Sequence, residues 1–211
     1  MQLDHLTIIA PDLAAGAAHV RDLLGVEMPV GGSHPQMGTH NLLLRLGDDV
    51  FLEVIAVDPA VAEPARRRWF GLDDAAAVRR DWHAGNRLRG WVARTGDIDA
   101  VLAAHGDILG QKAAVSRGDR HWLFGVPADG RLPLDGIAPS VIDWGVRGHP
   151  VEAMADLGLA LAEVTIEHPD PAAVEAVHRR LDLRNPPRVR QGPRLRHRAS
   201  VRTPIGMREL Y

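Results

Sequence analysis

His5 lies in the run Leu3-Asp4-His5-Leu6-Thr7-Ile8 and Glu53 in Phe51-Leu52-Glu53-Val54, each an ionisable side chain among branched apolar neighbours. Charged residues are rarely buried unless paired or bound to a metal, so Glu53 in particular requires a partner. A His and a Glu from two strands of one small sheet suit a divalent ion: imidazole nitrogen and carboxylate oxygen serve zinc, manganese, iron, nickel or cobalt. A hydrogen-bonded core pair with no ion satisfies the same pattern. The chain has no cysteine, which removes thiolate metal sites, disulfides and cysteine nucleophiles together and leaves any metal to His and carboxylate.

Further polar candidates stand at loop ends. His34-Pro35 sits in a Gly-rich turn, and His40-Asn41 falls where a loop enters a strand. Such groups bind an anion or a carbonyl, or complete a metal shell; as a structural alternative they staple the loop by hydrogen bonds. His121-Trp122 and Asp143-Trp144 each set a polar group beside an indole, either as pocket walls or as ordinary core.

The elements that must position these residues are readable from periodicity and punctuation. Leu3 to Ala10 reads as a strand that stops at Pro11-Asp12, and Leu13 to Leu24 as a helix closed by Gly25. Pro29 to Gly38 is turn-rich; Asn41 to Leu46 and Val50 to Val57 form a hairpin. The middle section repeats this order faintly: strands at Trp91 to Arg94, His121 to Val126 and Ser140 to Trp144, and a helix from Ile98 to Ala104. Another helix lies around Ala75 to Trp82 in the connection Pro59 to Gly90. The last section places a strand at Leu161 to Glu167, a helix at Pro171 to Leu181, and strands at Val189 to Gln191, Leu195 to Arg202 and Met207 to Leu210.

Leu3 to Leu23 recurs as Leu161 to Leu181, with Thr7-Ile8 matching Thr165-Ile166 and Pro11-Asp12 matching Pro169-Asp170. A copied supersecondary unit places equivalent residues in equivalent positions. The repeat therefore maps His5 onto Glu163 and Glu53 onto Glu209. Glu163 also alternates with Thr165 and Glu167, as on a strand with one wet face.

Composition sets the outer limits. With 45% hydrophobic residues the 211-residue chain builds a real core, as one large domain or two small ones. A net charge of −2 gives no general attraction to nucleic acid or anionic membrane, and the arginines at 194, 196 and 198 alternate as one solvated strand face. No phosphate loop, serine elbow or HExxH motif occurs. The N-terminus lacks a signal core and no apolar run approaches the roughly 20 residues of a membrane span, so a soluble, cytoplasmic protein is expected. The Arg- and Ala-rich usage is that of a GC-rich bacterium.

The opening strand, the Pro11-Asp12 turn, the helix end Leu23-Leu24-Gly25-Val26 and the hairpin ending Phe51-Leu52-Glu53 resemble a glyoxalase-type βαβββ module of the vicinal oxygen chelate superfamily. Gly31-Gly32-Ser33-His34-Pro35, Gly38-Thr39-His40-Asn41 and Ile142-Asp143-Trp144-Gly145 are similar to its glyoxalase-like domain group. The resemblance implies an α+β fold with a cupped mixed sheet: paired modules over residues 1–147 (1–58 and a degenerate 90–147), with a third, partial module at 159–211 packed on or completing it. It implies an ion that chelates vicinal substrate oxygens, with His5 and Glu53 as the first ligand pair. For the second pair, Trp91 and Asp143 stand near the matching middle positions, whereas the repeat offers Glu163 and Glu209. Glu209 or Asp143 would then serve as ligand or base. The implied activity is a metal-dependent lyase, isomerase or dioxygenase acting on a small oxygen-rich metabolite, or else metal-free sequestration of a small molecule, by a monomer or homodimer.

Overall fold

A computed structural model describes residues 1–211. The first unit runs β1 (Gln2–Ile9), α1 (Leu13–Leu24), β2 (Val30–His34), β3 (Thr39–Arg45) and β4 (Phe51–Val57). After α2 (Ala75–His83), the middle unit runs β5 (Leu88–Arg94), α3 (Ile98–Leu109), β6 (Gln111–Arg117), β7 (Arg120–Val126) and β8 (Ser140–Asp143). The last comprises β9 (Ala160–His168), α4 (Pro171–Arg180), β10 (Arg188–Gln191), β11 (Arg196–Thr203) and β12 (Gly206–Leu210). Every α-helix starts at an aspartate whose carboxylate accepts a backbone N–H three residues on: Asp12 from Ala15, Asp74 from Ala77, Asp97 from Ala100 and Asp170 from Ala173. These caps satisfy amides that the first helical turn leaves open.

The first two units share one eight-stranded sheet in the order β2-β3-β4-β1-β5-β8-β7-β6. The join is antiparallel, β1 against β5, while β1 runs parallel to β4 and β5 to β8. This sheet curls until its edges approach: Gln36, just after β2, donates to Ser116 Oγ of β6 at 2.7 Å. The inner face gathers Ile9, Ile55, Val92, Trp122, Phe124 and Ile142 around Trp69 and Phe70 of the β4–α2 connection. The outer face, with Leu6, Ile8, Val54 and Trp91, packs on α1 and on the apolar side of a second, four-stranded sheet ordered β10-β9-β11-β12.

Two expectations are corrected here. The first unit pairs with the middle one, so Glu163 on β9 and Glu209 on β12 stand in a different sheet from His5 and Glu53. The repeat also preserves only its strand and helix: β9 lies between β10 and β11, whereas β1 has β4 and β5 as neighbours. Residues matched by the repeat therefore do not share surroundings beyond the first helix.

Strands β2 and β6 fall in segments that lack strand patterning. In β2, Gly31 lies where the neighbouring backbone passes too close for a side chain, since a Cβ there would stand 1.9 Å from the Asn41 carbonyl oxygen, and Gly32 lies against the Arg117 side chain. In β6 the sequence Gln-Lys-Ala-Ala-Val-Ser-Arg has weak strand propensity, and pairing with β7 supplies what local preference does not.

Candidate functional site

The polar centre of the curled sheet begins at a β-bulge. Leu3 pairs with Ala93 and His5 with Val92, so Asp4 is an extra residue in β1. Bulges re-aim side chains: neighbouring strand residues normally face opposite ways, yet Asp4 Oδ1 lies 2.6 Å from His5 Nδ1. The other Asp4 oxygen accepts from Trp144 Nε1 at 2.8 Å and lies 3.1 Å from His149 Nε2. Burial alone would raise the Asp4 pKa, but the hydrogen bonds of His149 and His5 outweigh it and hold the carboxyl far below its usual range.

His5 stacks on Phe51, its direct neighbour on β4, with ring centroids 4.4 Å apart, and this contact fixes the imidazole plane. Its Nε2 lies 3.5 Å from Glu53 Oε2. Burial pushes the imidazole pKa down; contacts with Asp4 and Glu53 overcome that and carry it up to about 9. Glu53 is also buried, which raises its pKa, yet the contacts with His5 and the Asn41 amide bring it below the ordinary value. Asn41 Nδ2 donates to Glu53 Oε1 at 2.7 Å, and Asn41 Oδ1 accepts from the Gly32 amide at 3.0 Å and Arg117 Nη1 at 3.1 Å. A chain of contacts thus runs Trp144, Asp4, His5, Glu53, Asn41, Arg117.

These groups border a small, partly open space of about 30 Å³, roughly one water's share of liquid volume, between Trp69, Phe70, Trp122, Phe124 and Trp144. Phe70 holds φ 58°, a left-handed conformation rare for a non-glycine, to present its ring there. Leu43 and Arg117 border both this space and an outer cleft of about 310 Å³.

The predicted site residues divide clearly. His5, Glu53, His34, Asn41, Trp122 and Trp144 converge on the cavity. His34 is buried, its Nδ1 3.2 Å from Thr39 Oγ1, and burial brings its pKa down to about 4, so it is neutral at physiological pH. His40 points away by strand alternation and stands 3.9 Å from Asp58 Oδ1. His121 is exposed on an outer groove. Asp143 spends its two oxygens on the amides of Ile98 and Gly145. Glu163 pairs with Arg188 at 2.9 Å and Glu209 lies 3.7 Å from Arg198, both on the second sheet. Trp91, near the position matching His5, faces the outer core, where its Nε1 donates to the Gly136 carbonyl.

Asp4, Arg117, Trp69 and Phe70 have no signal in the sequence pattern. Asp4 is redirected by the bulge, Arg117 arrives across the curl, and the two aromatics come from an irregular connection.

The fit to a resident metal can be tested on the donors. Ligands of one ion with bonds of about 2.1 Å stand roughly 3–3.4 Å apart, close to the His5–Glu53 separation of 3.5 Å, and Asp4 occupies the place of an outer carboxylate behind a ligating His. The other half of the sheet offers Val92 and Ile142, however, and no group of three or more His, Asp or Glu side chains is positioned to hold an ion. The residues make a two-donor half-site and do not fit a closed, protein-ligated metal centre.

The fold places this inward-facing polar line inside a curled sheet of paired βαβββ units. The family model of the glyoxalase-like domain matches residues 3–181, and the chain belongs to that family. A hypothetical protein from Staphylococcus aureus has a similar fold, with a TM-score of 0.62 at 12% identity, covering 92% of this chain and 87% of that one. Methylmalonyl-CoA epimerases are more distant. The Streptomyces coelicolor enzyme gives a TM-score of 0.41 at 21% identity over 67% of this chain and 92% of its own. The Mycobacterium tuberculosis enzyme gives 0.40 at 19% over 67% and 86%. No curated protein matches the chain.

Proposed function

We propose that the chain binds a small, mainly apolar molecule through one polar oxygen, which His5 and Glu53 contact inside the curled sheet, without a resident protein-ligated metal. The observation that carries this reading is the pairing of the His5 ring: it stands between the Asp4 and Glu53 carboxylates, 2.6 and 3.5 Å away, so each ring nitrogen already faces a carboxylate oxygen. Aromatic walls with a few fixed polar groups are what ligand sites are made of, and the ligand's remaining bulk extends into the outer cleft. On this reading the protein sequesters or carries its ligand.

A second reading keeps the metal-dependent lyase, isomerase or dioxygenase class, favoured by the 3.5 Å donor spacing and by Asp4 behind His5. His5 and Glu53 would hold a zinc, manganese, iron, nickel or cobalt ion that supplies Lewis-acid or oxygen chemistry, while Asp4 fixes the imidazole tautomer. Elemental analysis of protein purified without chelators separates the two readings. We expect well under one equivalent of transition metal and no change in His5→Ala; a stoichiometric metal lost in that variant overturns the metal-free reading.

A further inference from the structure

Arg117 and Arg120 are direct cross-strand partners at the β6–β7 turn, and both border the cleft outside the polar cavity. Like charges placed opposite each other on a sheet repel; burial depresses the Arg117 pKa, the Glu53 carboxylate opposes that, and Arg120 adds to the depression. Neither guanidinium has a carboxylate within 4.0 Å, although arginines 45, 68, 89, 94, 147, 180 and 198 do. Both are nonetheless held in place. Arg117 donates to Asn41 Oδ1 at 3.1 Å; Arg120 donates to the Gly148 carbonyl at 2.8 Å and lies over the Trp144 ring, 5.8 Å from its centroid. Each uses one N–H donor in these bonds, which leaves several facing the cleft or solvent.

We propose that this pair is an oxyanion subsite, and that the ligand is an organic anion whose carboxylate or phosphate binds Arg117 and Arg120 while its apolar body lies in the outer cleft beside Leu43, Pro150 and Met154. The inference rests on the binding reading above and adds the charge of the ligand. Planar guanidinium donors match carboxylate and phosphate oxygens in pairs of bonds, and an anion here relieves the repulsion that the two arginines impose on each other. The cavity and the cleft meet at Leu43 and Arg117, so one molecule reaches both. Its anionic end also stays clear of Glu53, because Asn41 stands between Arg117 and that carboxylate.

Three probes of similar shape test this on the full chain, read by tryptophan fluorescence: benzoate, phenyl phosphate and the neutral benzamide. The anionic probes should bind at least tenfold more tightly than benzamide, with affinity falling as salt is raised. Arg120→Gln should remove that advantage, while Arg120→Lys restores part of it. Equal binding of all three probes, or an Arg120→Gln protein that keeps the preference, overturns the oxyanion subsite and leaves the binding reading intact. Absence of any response to all three overturns the binding reading, and the subsite with it.

Discussion

Asp4 Oδ1 and His5 Nδ1 lie 2.6 Å apart although the two residues are sequential on a strand, because a bulge in β1 turns the first to the side of the second. Buried carboxylate and imidazole then stabilise each other's charge, and the site's protonation follows from that one irregularity.

This pair predicts a titration. The His5 ring should titrate near pH 9 in a proton-detected NMR experiment, and Asp4→Asn should lower that value by at least one unit. Because the folded pKa is raised above the unfolded value, the associated stability is complete below about 6.5 and disappears as pH rises through about 9. Urea midpoints of Asp4→Asn should therefore fall less steeply over that range than those of the natural chain. An unchanged His5 titration in the variant would show that Glu53 alone holds the proton.

Thr7 is fully buried on β1 and its Oγ1 has no hydrogen-bond partner. Replacing an unsatisfied buried hydroxyl by a methyl group of the same shape removes a desolvation penalty. Thr7→Val should raise stability by about 1 kcal/mol in urea unfolding. A loss of that size would instead reveal a partner for the hydroxyl.

Gly31 brings β2 against β3 at a distance that no side chain tolerates, with Asn41 as its neighbour. Gly31→Ala should cost more than about 2 kcal/mol and displace Asn41, weakening ligand binding even under conditions where the protein stays folded. Comparison with Gly47→Ala, at a turn with nothing near the added Cβ, separates crowding from backbone strain. Equal cost at both positions contradicts the close-approach argument.

A buried histidine of the second sheet reaches the β7–β8 connection: His197 Nε2 donates to the Gly136 carbonyl at 2.9 Å, and burial pushes its pKa down to about 4. Here the unfolded state binds a proton first, so stability is complete above about 6.5 and falls as pH drops toward 4. His197→Gln should be less stable at neutral pH but show a shallower acid slope, with a difference of at most about 3 kcal/mol across the range. An identical slope would place the acid sensitivity elsewhere, for example at His34, whose pKa burial also lowers to about 4.

By itself the sequence determined the local vocabulary: aspartate-capped helices, the β3–β4 hairpin, and the apolar runs that make His5 and Glu53 conspicuous. These follow from short-range propensity and from the cost of burying charge, both carried by neighbouring residues. Family membership was legible for the same reason, since the motif residues lie in those elements. The tertiary structure alone decided which unit faces which. The copied strand and helix carry similar residues in the first and last units, yet hydrogen bonding to β5 rather than β9 removes Glu163 and Glu209 from the site. Only the curl brings Arg117 to Asn41, and only the bulge brings Asp4 to His5. Sheet register and long-range packing depend on the whole apolar surface at once, and no local pattern records where a single extra strand residue turns a side chain around.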